Sequence, residues 1–165
     1  MIIRRFKAGD AQAVSDLIAV TLRTTNRKDY SEEYIENDIR HLQPEDIVAR
    51  AGWQHFYVAE EDGCVVGCGA IGPYWGKEDE SSLFTVFVRP EAQGRGIGRS
   101  MIHALERDEY FLRARRVEIP ASVTGTPFYL KMGYTYKNSV DQPDEEGLLR
   151  LEKTQGGSEH DDQGI

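Results

Sequence analysis

Cysteine, histidine and long apolar runs are all scarce in this chain of 165 residues, and each shortage removes a class of function. The two cysteines, Cys64 and Cys68, have no second pair to complete a zinc site and lack the Cys-x-x-Cys spacing of a redox pair. They read as two small buried thiols in a strand. His41, His55, His103 and His160 stand at no metal-ligand spacing, and no Ser-His-Asp set is suggested, so no metal is expected. No apolar stretch approaches the roughly 18 residues of a membrane span, and the opening MIIRRFKAGD lacks the apolar core of a secretory signal. A cytoplasmic location away from membranes is the expectation. Basic side chains are outnumbered, 20 against 28 acidic ones, for a net charge of −8 and a pI near 5.0. That balance speaks against the basic face that general nucleic-acid binding needs and tilts toward small cationic partners.

What is present suits one globular domain. Hydrophobic residues make up 39% and charged residues 29%, the balance of a folded chain and not a disordered one. No internal repeat or second-domain boundary is visible, so a single domain is expected over residues 1–153, followed by a polar, glycine-rich tail over 154–165. Alternating apolar residues in MIIRRF predict a strand, and Asp10 is placed as the N-cap of a helix carrying Val14, Leu17, Ile18 and Leu22. Ser31 predicts the start of a second helix and Pro44 of a short third. HFYVAEEDGCVVGCGAIGPY reads as a hairpin turned at Asp62-Gly63, and ESSLFTVFV as the next strand, after a loop WGKEDESS. Helical spacing then runs from Ile97 to about Arg113, RRVEIPAS is a strand stopped by Pro120, TPFYLKMGY a short helix, and GLLRLEK a last strand.

Between the strand ESSLFTVFV and the helix from Ile97 lies RPEAQGRG, continuing into IGRS. A dinucleotide fingerprint fails here, because the sixth position is Arg99 counting from Gly94 and Met101 counting from Gly96. A Walker loop fails as well, for want of the Gly-Lys pair. The physics of such loops still applies: glycines admit positive φ and close approach, successive N–H groups converge on an anion, and the helix N-terminus adds partial positive charge. The glycines alone leave a pyrophosphate nest and a ligand-free turn equally open.

Two motifs in order decide between them. Gln93, Gly96 and Gly98 fit Gln/Arg-x-x-Gly-x-Gly/Ala directly after a strand, and Phe128, Tyr129, Gly133 and Tyr134 form a Phe-Tyr pair on a short helix followed by Gly and an aromatic. Together they resemble the Gcn5-related N-acetyltransferase superfamily over residues 1–152, least well from Asn26 to Trp53, the region that usually shapes the acceptor site there. The resemblance implies a mixed α/β fold: a mostly antiparallel sheet of six or seven strands flanked by helices, splayed at the fourth strand, here Leu83–Val88. It implies acetyl-coenzyme A as co-substrate, with backbone groups of Val86, Phe87 and Val88 pairing with the pantetheine arm and N–H groups from Gln93, Gly94, Arg95, Gly96, Ile97, Gly98 and Arg99 around the pyrophosphate. Arg95 and Arg99 add charge there, and Ser122 is a polar group near the coenzyme.

The implied chemistry is attack of an amine on the thioester carbonyl, with the coenzyme leaving as a thiolate of pKa roughly 8.5. Tyr129 matches the superfamily's tyrosine as proton donor to that thiolate, and the N–H of Phe87 or Val88 is a candidate to polarise the carbonyl. Some members carry a glutamate on the fourth strand where this chain has Ser82, so the base is open: Glu80 is the nearest candidate, Glu78 and Asp79 read as solvating their loop, and a water chain is the alternative. Trp53, Tyr57, Tyr74 and Trp75 are candidates for either an acceptor pocket or sheet surface, and YSEEYIENDIR for a solvated helix face. The expected function is acetyl transfer to a primary amine of a small molecule in a ternary complex, with a homodimer as the candidate assembly. A protein or peptide acetyltransferase and a non-catalytic acyl-coenzyme A sensor are the alternatives.

Overall fold

A computed structural model describes residues 1–155. The strands are β1 (Ile2–Arg5), β2 (His55–Glu61), β3 (Cys64–Tyr74), β4 (Lys77–Val88), β5 (Arg116–Ser122), β6 (Thr135–Tyr136) and β7 (Leu148–Thr154). The helices are α1 (Ala11–Thr24), α2 (Glu32–Arg40), α3 (Pro44–Ala51), α4 (Ile97–Leu105), α5 (Glu109–Leu112) and α6 (Thr126–Lys131). The strands join in the order β1-β2-β3-β4-β5-β7-β6. β1 with β2, β5 with β7 and β6 with β7 are antiparallel, while β4 and β5 run parallel, with α4 and α5 in the crossover that a parallel pair needs. The described residues form two compact units, Met1–Ala70 with Thr85–Glu106, and Ile71–Phe84 with residues 107–155.

In the first unit the apolar stripe of α1 buries Val14, Leu17, Ile18 and Leu22, as its spacing predicts. Asp10 is its N-cap residue, but the Asp10 carboxylate turns back to accept the Lys7 N–H at 2.8 Å and the Arg4 guanidinium at 2.9 and 3.0 Å. Ser31 caps α2 through the Tyr34 N–H, and α2 buries only Ile35 and Ile39, so the charged run is a solvated face. The β2–β3 turn has positive φ at both Asp62 and Gly63, the geometry that Asp-Gly admits. β3 carries Gly67 and Gly69 where α4 lies closest: a Cβ on Gly69 would stand 2.9 Å from Met101 Cγ, and one on Gly67 3.3 Å from Ile97 Cγ2. With those side chains absent, Ile97, Met101, Ile102 and Leu105 of α4 are all buried.

From Lys77 onward four expectations change. The strand expected from Glu80 begins earlier, at Lys77, so that Lys77–Asp79 are not loop but the start of β4, because a second two-residue turn at Trp75-Gly76, φ +49° and +75°, already reverses the chain. The helix from Ile97 does not reach Arg113: it ends at Leu105, and Asp108 caps the separate α5 through the Tyr110 N–H at 2.8 Å. Pro120 does not stop β5. It lies inside the strand opposite Arg150 of β7, and β4 pairs with β5 only at Glu80–Ser82 and Arg116–Glu118, so past Glu118 one side of β5 is open, a setting that tolerates a strand proline. β6, only two residues long, carries no periodicity to read. Of the expected tail, Thr154 closes β7 and the Gln155 N–H donates to Arg115 O at 2.9 Å; residues 156–165, His160 among them, lie outside the described residues.

The close approach of α4 to β3 gives a first prediction. Gly69→Val drives a branched side chain into Met101 and Leu105 and lowers stability by about 1–3 kcal/mol. Urea unfolding reads the loss, with Gly9→Ala, which meets nothing within 4 Å, as the neutral control.

Candidate active site

β4 bends at Thr85. Its φ of +54° is a left-handed value that a β-branched residue adopts only under constraint, at a cost of roughly 1–3 kcal/mol. Of the two cysteines expected to be buried, Cys64 is exposed at the start of β3, and only Cys68 is buried; its thiol donates to Thr85 O at 3.2 Å. Burial pushes that thiol up to about 12, against a smaller pull from backbone Phe87, so Cys68 is a protonated donor and no nucleophile. Nothing in the sequence marks Thr85, since threonine is an ordinary strand residue. Beyond it Val86, Phe87 and Val88 are half-buried although all are large and apolar. Val88 O accepts from the Gln93 side-chain amide at 3.0 Å and faces Thr21 Oγ1 at 3.4 Å, so this carbonyl is already engaged.

After β4 a 3-10 turn at Pro90–Ala92 leads into Gln93, and the chain then takes positive φ at Gly94 (+79°) and Gly96 (+85°). A Cβ at either glycine would meet nothing within 4 Å, so the glycines are there for conformation and leave the loop surface open. Gly96 is the N-cap of α4 and supplies no capping side chain. The N–H groups of Ile97, Gly98 and Arg99 therefore have no acceptor within the helix, and Ser100 N–H to Gly96 O, 3.0 Å, is the first helical bond. The Ile97 side chain is core, Arg99 is exposed, and Arg95 pairs with Glu61. This is a surface of convergent donors at the positive end of a helix, suited in shape and charge to a pyrophosphate.

In the second unit Ser122 Oγ accepts the Gly125 N–H at 2.9 Å and Ser122 O accepts from Thr126 Oγ1 at 2.8 Å, so Ser122 builds the turn that launches α6. Tyr129 on α6 is 8% exposed, with its ring edge-on to those of Phe128 and Tyr134. The ring lies against Gly125, where a Cβ would stand 3.3 Å from Tyr129 Cε2, and Ser122 and Tyr129 thus meet at one glycine. Glu80 sits elsewhere in this unit. Its carboxylate pairs with Arg115 at 2.6 Å and Arg116 at 3.0 Å, with Lys77 at 3.8 Å.

A family model described as an acetyltransferase (GNAT) domain matches residues 52–136. The chain belongs to the GNAT acetyltransferases. The amino-acid acetyltransferase of Ralstonia nicotianae is 29% identical over 95 residues, and that of Mycobacterium tuberculosis 35% identical over 85 residues. Those matches take in 58% and 50% of this chain but 21% and 47% of the relatives, so the chain spans less than half the length of the curated relatives it matches. The solved structure of PaiA N-acetyltransferase from Thermoplasma acidophilum in complex with coenzyme A shares the fold at a TM-score of 0.79 and 20% identity, over 93% of this chain and 98% of that one.

For a GNAT chain the surroundings of Glu80 are unlike those of a proton acceptor. Burial raises its pKa, but the hydrogen bond and charge of Arg116, with the charges of Lys77 and Arg115, outweigh that and hold the carboxyl below the ordinary carboxylate range. Arg116 binds Glu118 at 2.8 Å and Glu152 at 2.9 Å as well, and Glu118, 1% exposed, also takes Lys137 at 2.9 Å. Tyr74 lies under Arg116 and Lys137, at 4.9 and 5.6 Å, so it belongs to this charged cluster. Ser82 is buried and bonds to Leu83 O at 3.2 Å. Trp75 is 83% exposed at its turn, Trp53 is half-exposed, and Tyr57 lies under Arg5. Among the described residues no His, Cys, Asp and Glu group could hold a metal ion, and no helix is long and apolar enough to cross a membrane.

A carboxyl depressed in the folded state stabilises the protein above its unfolded pKa, about 4.3, and that contribution is lost as pH falls through the folded value. Urea midpoints measured from pH 7 downward are expected to decline below about pH 4.3. Glu80→Gln starts lower at pH 7, by about 1–3 kcal/mol, and declines less steeply.

Proposed function

We propose that this protein moves the acetyl group of acetyl-coenzyme A to a primary amine of a small molecule by direct attack in a ternary complex. The observation that carries the reading is the donor surface at the start of α4, where two left-handed glycines leave N–H groups from Gly94 to Arg99 uncovered at a helix N-terminus. In this reading those groups, with the charge of Arg99, hold the pyrophosphate, and the backbone of Val86 and Phe87 with the Val88 N–H receives the pantetheine arm. The engaged Val88 carbonyl is left out of that role. The amino-acid acetyltransferase relatives and the coenzyme A complex of the PaiA structure support the donor, and the former make the α-amine of an amino acid the first acceptor to try.

The amine nitrogen bonds to the thioester carbonyl carbon, the oxyanion is stabilised by the Val88 N–H, since the Phe87 N–H faces the Cys68 sulfur, and the carbon–sulfur bond breaks as the carbonyl re-forms. The Tyr129 hydroxyl protonates the leaving thiolate, which requires that it reach the sulfur of the bound co-substrate. The acceptor must shed a proton, and with Glu80 locked between two arginines that proton goes to water and not to Glu80. The acidic balance of the chain, −8, favours a cationic acceptor, and a cytoplasmic location, where acetyl-coenzyme A is made and used, goes with the same reading.

The test is thiol release from acetyl-coenzyme A against a panel of amino acids, other small amines and peptides. Small amines are expected to be acetylated, with Tyr129→Phe reducing kcat by about 10²-fold or more and changing KM little. Acetylation of peptides alone overturns the acceptor class. Cofactor binding without thiol release on any amine overturns the catalytic reading.

A further inference from the structure

The Gln93 N–H, expected among the donors to a pyrophosphate, donates instead to Pro90 O at 3.3 Å, and it is the side chain of Gln93 that ties the loop to its surroundings. Its side-chain nitrogen has two hydrogens, and both are used: one on Val88 O at 3.0 Å, the other on Thr25 Oγ1 at 3.1 Å. Thr25 is the C-cap of α1, and its N–H donates to Thr21 O at 2.7 Å. Thr21, 3% exposed, places its Oγ1 2.7 Å from Leu17 O and 3.4 Å from Val88 O. The contacts close a ring from the last residue of β4 through Gln93 to the final turn of α1 and back. Directly after the ring the chain folds over Asn26, whose carbonyl accepts from the N–H groups of Asp29 at 3.0 Å and Tyr30 at 3.1 Å, while Arg27, Lys28 and Asp29 are exposed.

We infer that the Gln93 side chain is a positioning residue that couples occupancy of the glycine loop to order in residues 25–31. Without ligand the loop from Gly94 to Gly96 is exposed at every residue, so it is free to fluctuate and to pull on both side-chain bonds of the adjoining Gln93. An anion bound to the N–H groups of the loop fixes the Gln93 backbone. The amide can then no longer leave Val88 O without leaving Thr25 Oγ1, and the last turn of α1 and the Asn26 turn lose their independent motion. Ordering residues 25–31 draws on the binding free energy of the ligand, so by linkage a molecule that already orders those residues tightens coenzyme A in return.

This inference rests on the coenzyme A binding proposed above, and hydrogen exchange with free coenzyme A as the probe separates the two. Wild type is expected to gain protection at 94–99 and, by about threefold or more, the scale of one neutral hydrogen bond, at 25–31. Thr25→Val keeps the loop and the Gln93–Val88 bond, so it is expected to bind coenzyme A within about threefold of wild type, to protect 94–99, and to lose the added protection at 25–31. Thr25→Ser restores the hydroxyl and the coupling, and serves if the valine variant folds poorly. Bound coenzyme A with no change at 25–31 in wild type, or with equal protection there in Thr25→Val, overturns the coupling alone. No binding by wild type overturns the proposed function with it.

Discussion

The loop proposed to hold coenzyme A depends on how closely α4 lies on β3. Gly67 and Gly69 remove two side chains where the helix crosses the strand, and the space is taken by Ile97, Met101 and Leu105. That contact fixes the axis of α4 and so the direction in which its unpaired N–H groups point. The left-handed glycines 94 and 96 then let the chain enter the helix without a side chain covering those groups. Packing and chemistry use the same residue type for opposite reasons: at Gly67 and Gly69 a Cβ has no room, whereas at Gly94 and Gly96 it has room but the backbone disfavours it.

β4 carries the other costs. It holds Thr85 at a φ that a β-branched residue avoids, and it brings the carboxylate of Glu80 out of water. A single buried carboxylate is expensive, and here the expense is offset by a network: Glu80, Glu118 and Glu152 surround Arg116, while Lys137 and Arg150 return charge to Glu118. Such a network favours one register of β4, β5 and β7, because sliding any strand by one residue separates several pairs together. The same network holds Glu80, the candidate base, as an ionised partner of Arg115 and Arg116.

Local signals were legible and distant ones were not. The hairpin at Asp62-Gly63, the caps at Asp10 and Ser31, the start of α3 at Pro44 and the glycine loop could all be read because each depends on a few adjacent residues. The start of β4 at Lys77 was hidden because its first turns of chain are charged, and charge there reads as loop until Arg115 and Arg116 supply the counterions. Pro120 misled because a proline blocks a strand only where its missing donor is needed. Asp108 was a readable cap that the apolar spacing from Ile97 to Leu112 concealed. Thr85, Gly67 and Gly69 had no local signal, since their meaning lies in what packs against them.

Calorimetry reads whether the N–H groups at the start of α4 hold the pyrophosphate of coenzyme A, as proposed. Wild type is expected to bind both coenzyme A and acetyl-coenzyme A. Gly96→Glu, which sets bulk, backbone strain and negative charge at the helix N-cap, is expected to lose both while keeping its circular dichroism spectrum. Absence of binding by wild type, or equal binding by a folded Gly96→Glu, contradicts the account.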